Sequence, residues 1–177
     1  MANHPWNVPV RLEEVPEAGR RFELGADGTV RASVAKEAAV DAVERLSAVF
    51  DLTRLGRDGL RAAGRVRATV RQTCVVSLEP MSTEVDEAID VAFAPPSAIA
   101  SGTELEFDPA PAAAEPPEPL VNGAIDLGAL AVEFLILGID PHPRKPDVTF
   151  APPPVPDAGE NPFAALAALK NASNVKD

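Results

Sequence analysis

Tyrosine is absent from the chain, and cysteine and tryptophan each occur once among its 177 residues. A lone Cys74 excludes an internal disulfide framework. Together with two scattered histidines it matches no metal-ligand spacing, so no metal and no cofactor are expected. Aromatic residues make up 5% of the chain, too few to interleave with cations as a base-stacking surface requires. No glycine-rich phosphate loop is visible, since "GADG" at 25–28 reads as opening no helix. The longest apolar run, Leu127 to Ile139, is too short to cross a bilayer and contains Glu133. The first twenty residues are polar and broken by proline, without the apolar core of a signal peptide. A soluble, cytoplasmic protein without membrane contact is the expectation. Lysine and arginine are missing between residues 72 and 140, where thirteen acids stand. The net charge of −11 argues against whole-surface attraction to nucleic acid or to an anionic membrane, though not against a local basic patch.

What is present points to strands. "VPVRLEEV" (8–15) reads as an edge strand between prolines. "RRFELGADGTVRASV" (20–34) reads as a hairpin turning at Asp27-Gly28, and Ser33 as the cap of a helix ending near Ala48. Val40, Val43 and Leu46 supply that helix's periodicity. "VFDLTRL" (49–55) and residues 60–78 read as strands around a turn at Gly56–Gly59. In the second strand Val66, Ala68, Val70 and Cys74 share one face, and Arg65, Arg67, Thr69, Arg71 and Thr73 the other. After a turn at "EPMS", residues 83–93 alternate again, with Glu87 out of place among Val85, Ile89, Val91 and Phe93. Residues 94–122, with seven prolines and five acids, read as a mobile acidic insertion with one short strand at "ELEF". Asp126 caps a second helix with a stripe of Leu127, Leu130, Phe134 and Leu137, stopped by Gly138. A "VTF" strand follows at 148–150.

The expected fold class is α+β: an antiparallel sheet of about five strands packed with two helices, bearing a flexible Pro/Ala-rich insertion and tail. Its core face would carry Val66, Val70, Cys74, Ile89 and Val91 under the helix at 126–138. One domain is expected over residues 1–150. A Pro-rich linker and a short amphipathic helix at 161–170 complete the chain, and that helix suits docking on its own domain or on a partner.

Two candidate sites follow from charge. Residues 54–71 hold six arginines against one acid. Cross-strand pairs such as Arg71 with Asp86 and Arg67 with Asp90 would make these a solvated face. The surplus cations Arg57, Arg61, Arg65 and Arg67 would otherwise contact phosphate. The second candidate is "DPHPRK", where Asp140, His142, Arg144 and Lys145 fall within six residues. An Asp140–Arg144 ion pair and three prolines would stiffen this loop and present its cations to a partner at little ordering cost. Acid/base chemistry there lacks a nucleophile and a second carboxylate. A buried, structural role suits Cys74. A small hydrolase or nuclease using Cys74 or His142 with Asp140 is the alternative from a different class.

The blocks "CVVSLEP" (74–80), "IDLGALAVEFLILGIDPHPRKP" (125–146) and "NPFAALAALK" (161–170) together resemble the YceD-like family of large ribosomal RNA subunit accumulation proteins. The resemblance spans about residues 20–170 and is most specific where the helix runs into the "DPHPRKP" loop. It implies a non-enzymatic role in large-subunit rRNA accumulation or processing, through RNA or an assembly partner, and no catalytic residues. Many members carry a Cys-x-x-Cys pair before the "LEP" element. Cys74 and Ser77 stand there in this chain, so the second thiol of a metal or redox pair is missing.

Overall fold

A computed structural model describes residues 4–100 and 116–150 and shows an α+β fold dominated by strands. Contacts divide the chain into two units, Met1–Pro146 and Asp147–Asp177, and every element below lies in the first. The expected "ELEF" strand and the 161–170 helix lie outside the described residues. The "VTF" segment, within the second unit, has no strand geometry.

The main sheet is built from three long strands. β3 (Ala42–Leu55), β4 (Gly59–Thr73) and β5 (Pro80–Ala94) form an antiparallel meander. β2 (Arg20–Gly25) pairs antiparallel with β3, and β6 (Glu118–Pro119) adds two residues in parallel to β5. The order is β2-β3-β4-β5-β6. A separate two-stranded sheet joins β1 (Pro9–Arg11) to β7 (Ala124–Asp126). The "VPVRLEEV" strand therefore stops at Arg11 and turns into a 3-10 turn at Leu12–Glu14.

Alternation sorts the sheet into two faces. Leu46, Ala48, Phe50 and Leu52 of β3, Ala62, Val66, Ala68 and Val70 of β4, and Val85, Ile89 and Phe93 of β5 are buried on one side. Helix α3 (Leu127–Gly138) packs over β4 and β5 there, α1 (Gly28–Glu37) packs against β3, and the short α2 (Pro96–Ala100) follows β5 in the chain. The other side exposes Arg21, Ser47, Asp51, Arg61, Arg65, Arg67, Glu84, Asp86 and Asp90.

The first helix begins earlier than its sequence pattern implies. Asp27 is an N-cap, its Oδ1 accepting the Val30 N–H at 2.9 Å. Aspartate before glycine serves a helix start as well as a hairpin turn. "GADG" thus does open a helix, and Ser33 lies inside it. Residues 42–48 are strand, not helix. A β-bulge between Val43 and Arg45 shifts the alternation by one, so buried Val43 and Leu46 fall three apart and imitate a helical repeat.

α3 keeps its expected bounds. Asp126 Oδ1 caps it by accepting from Gly128 and Ala129 N–H at 3.0 and 3.1 Å. Its buried stripe runs through Leu127, Leu130, Ala131, Val132 and Leu135, leaving Phe134 half-buried and Leu137 exposed. Gly138 has no positive φ. A β-carbon there would overlap Cγ and Oε1 of Glu87 and Cγ1 of Val85, so glycine serves close packing on β5 rather than a left-handed cap. The helix start is seated as tightly, since a β-carbon at Gly128 would strike the backbone of buried Trp6.

Candidate partner-binding site

The two loop segments singled out by sequence meet at one end of the sheet. β4 ends at Thr73, and residues 74–79 close a compact turn. Cys74 N–H donates to Glu79 O and Leu78 N–H to Cys74 O, both at 2.9 Å. Leu78 takes a φ of 57° to complete it. Cys74 is buried as expected, but beneath this turn and outside the strand, apart from the main apolar cluster.

The loop after α3 lies against that turn and is held at four points. Gln72 Nε2 donates to Asp140 O at 2.9 Å. Val75 N–H donates to O of buried Pro143 at 2.9 Å. Lys145 N–H donates to Cys74 Sγ at 3.4 Å, and its Nζ meets Glu79 Oε2 at 2.7 Å. Within the loop, Asp140 Oδ1 accepts the His142 N–H at 2.8 Å. The expected Asp140–Arg144 ion pair does not form, because the Asp140 carboxylate closes this local turn instead.

The electrostatics of this clasp are those of a stabilised thiolate. The Ser77 hydroxyl, then the N–H groups of Ser77, Lys145 and Val76, bring the Cys74 thiol down to about 6, against the opposing effect of desolvation. The Lys145 ammonium holds the Glu79 carboxyl below its usual range, first by hydrogen bonding and then by charge.

The clasp leaves an exposed rim. His142 and Arg144 are exposed, and neither side chain has an ion-pair or hydrogen-bond partner among the described residues. Leu78 is 76% exposed and Val75 44%. Gln72 and Glu79 seat the loop through their side chains, yet neither was singled out by sequence reasoning. Their signal was indirect: "CVVSLEP" and "DPHPRKP" are the two blocks of the resemblance that touch.

The arginine strand behaves differently. Arg61 makes a two-pronged contact with Asp90 at 2.7 and 2.6 Å. Arg65 and Arg67 share Asp86 at 2.8 and 3.3 Å, and Arg45 reaches Glu84 at 3.3 Å. Asp86 lies opposite Arg67 rather than Arg71, and Asp90 opposite Ala63. The pairing is thus displaced by four residues from the sequence expectation, because the connecting turn starts at Cys74 and β5 at Pro80. Arg61 and Arg65 are not surplus charges. Hydrogen bonding from Arg61 is the first cause of a lowered Asp90 carboxyl. A groove of about 270 Å³ on this face is lined by Arg21, Ser47, Val49, Asp51, Arg65 and Arg67 among others.

Arg57 is exposed in the β3–β4 turn without a partner among the described residues. That turn is at the opposite end of the fifteen-residue β4 from the clasp, roughly 45–50 Å away at the rise of an extended strand. The eight candidate residues therefore divide into one free cation at the far turn, three ion-paired arginines on the sheet face, and the clasp.

Chemistry at the clasp is limited by what surrounds the thiol. Cys74 Sγ receives backbone N–H groups from Ser77 and Lys145, and the Asp140 carboxylate is engaged by the His142 backbone. Among the described residues, no three His, Cys, Asp or Glu side chains are grouped to hold a metal ion, and no helix is long and apolar enough to cross a membrane.

A family model described as "Large ribosomal RNA subunit accumulation protein YceD" matches residues 62–170, more than half of the chain. No curated protein and no solved structure matches. The matched span contains β4 from Ala62 onward, the Cys74 turn, β5, α3 and the loop they hold. With two of the three resembling sequence blocks in contact inside that span, the chain belongs to the YceD family of large ribosomal RNA subunit accumulation proteins.

Proposed function

We propose that this protein is a non-enzymatic, cytoplasmic factor that supports large-subunit rRNA accumulation or processing by holding a ribosome-assembly partner at the rim of the clasp. One observation carries the reading. The 140–145 loop is fixed to the β4–β5 turn at four points, while His142, Arg144, Val75 and Leu78 stay exposed. A surface already ordered in this way loses little freedom on binding. It combines an apolar patch with a free guanidinium, the composition of an interface centre. The sheet arginines support RNA contact less, because each is already engaged by an aspartate within the fold.

Capture from cell lysate with and without ribonuclease tests this. The expected result is a partner that survives ribonuclease and is lost from Leu78→Ser and Arg144→Ala, both of which should fold. Retention of the partner by both variants would refute the rim as the site. Cleavage of precursor rRNA by the purified protein, abolished by His142→Ala, would replace binding with catalysis.

A further inference from the structure

β5 is a long strand with little pairing on its outer side. Among the described residues that edge pairs only at Phe93 and Ala94, with the two residues of β6. From Pro80 to Ala92 it meets no other strand there, while its register with β4 runs without a bulge. Such an edge presents a row of unpaired N–H and C=O groups. Proteins usually blunt it with bulges, prolines or inward-turned charges. β5 has no bulge, and its one proline is at the first position.

Its inward-turned charge is Glu87, the residue that breaks the alternation. Glu87 lies between Val85 and Ile89 on the face covered by α3, half-buried against Gly138. It has no hydrogen bond or ion pair among the described residues. The other three acids of β5 are all paired: Glu84 with Arg45, Asp86 with Arg65 and Arg67, and Asp90 with Arg61. Next to Gly138 on α3, Leu137 is 74% exposed.

A strand added to this edge would place one side chain opposite Glu87, with β-carbons about 4.5–5.5 Å apart. A neutral or acidic side chain there would remove Glu87 from water without giving it a partner. Lysine or arginine would pair it. A second copy of β5 fits poorly, since four acids and no base would face the same set. We propose that the free edge of β5 accepts an extended segment of a partner protein by strand addition, selected by a lysine or arginine opposite Glu87. This surface is distinct from the clasp rim and does not depend on it.

The test uses the full chain and a labelled peptide, Val-Thr-Val-Thr-Lys-Thr-Val-Thr-Val, beside its counterpart with glutamate at the centre. Fluorescence anisotropy reads affinity, and hydrogen exchange reads the position of binding. The lysine peptide should bind about tenfold more tightly and slow exchange within residues 80–92. Glu87→Gln should narrow that preference and Glu87→Lys reverse it, although the latter moves the net charge of −11 by only two units. Arg144→Ala should change neither, which separates this site from the clasp. The proposal is overturned if the outward-facing β5 amides, those not bonded to β4, are already protected in the free chain, if protection appears elsewhere, or if the preference ignores residue 87. Concentration-dependent self-association that protects β5 would also overturn it, in favour of a second copy.

Discussion

Cys74 Sγ accepts N–H groups from Ser77, three residues on, and from Lys145, 71 residues on. The thiol thereby ties two segments together, and its protonation affects how well it does so. In the fold it titrates near 6; its ordinary value is 9.0. Between those values the unfolded chain binds the extra proton, so stability rises with pH across that window. The contribution is fully present above 9 and disappears as pH falls through about 6. We predict that the stability of wild type relative to Cys74→Ala grows from pH 6 to pH 9 in denaturant titrations. A flat difference would refute the thiolate. Thiolate absorbance of the native protein gives a second check, with a midpoint near 6. The burial of this residue was expected from a place on the apolar face of the strand, but it is buried under the turn that follows β4 instead. Its donors were not readable from the sequence, because the Lys145 contact depends on how a distant loop folds back.

At the scale of elements, strands that keep one period-two register were legible, even with Glu87 out of pattern in β5, and a strand whose register shifts was not. β4 and β5 followed from period-two patterning, and α3 from its cap and apolar run. β3 was read only in its second half, 49–55; residues 42–48 were hidden by the bulge at Val43–Arg45, which converts a strand repeat into apparent helical spacing. Asp27-Gly28 was ambiguous because its two residues satisfy a hairpin turn and a helix start alike. Glycine placement gives a direct test of the long strands. A β-carbon on Gly64 would overlap Val49 O and come within 3.0 Å of the Phe50 Cα. Backbone atoms cannot step aside as a side-chain tip does. Gly64→Ala should therefore cost about 1–3 kcal/mol, seen as a lower denaturant midpoint with an unchanged slope. Gly25, at the end of β2, has nothing within 4 Å of such a carbon and no positive φ. Gly25→Ala should stay within about 0.5 kcal/mol of wild type. Equal effects of the two would mean that β3 and β4 are not this closely apposed.

Over the whole molecule, charge is segregated along the sequence but mixed in space. Arginines at 61–67 and acids at 84–90 fold onto one sheet face and pair with each other. The two-faced nature of this hairpin was visible in the sequence. Its register was not, because one misplaced turn residue moves every partner. Exposed cations without an ion pair among the described residues include Arg57 at one end of β4, Arg71 near its other end and Arg144 at the clasp. If RNA is bound at the clasp through Arg144 alone, the slope of log affinity against log salt should have a magnitude of about 1 or less. Arg61→Ala and Arg65→Ala should leave that slope unchanged, each costing about 0.2–1 kcal/mol of stability at most, as exposed pairs do. A slope of magnitude about 3, reduced by either substitution, would mean that the sheet ion pairs open and their arginines turn to phosphate. The binding surface would then be the arginine face of the sheet, and the clasp would serve only to hold α3 on the opposite, buried face.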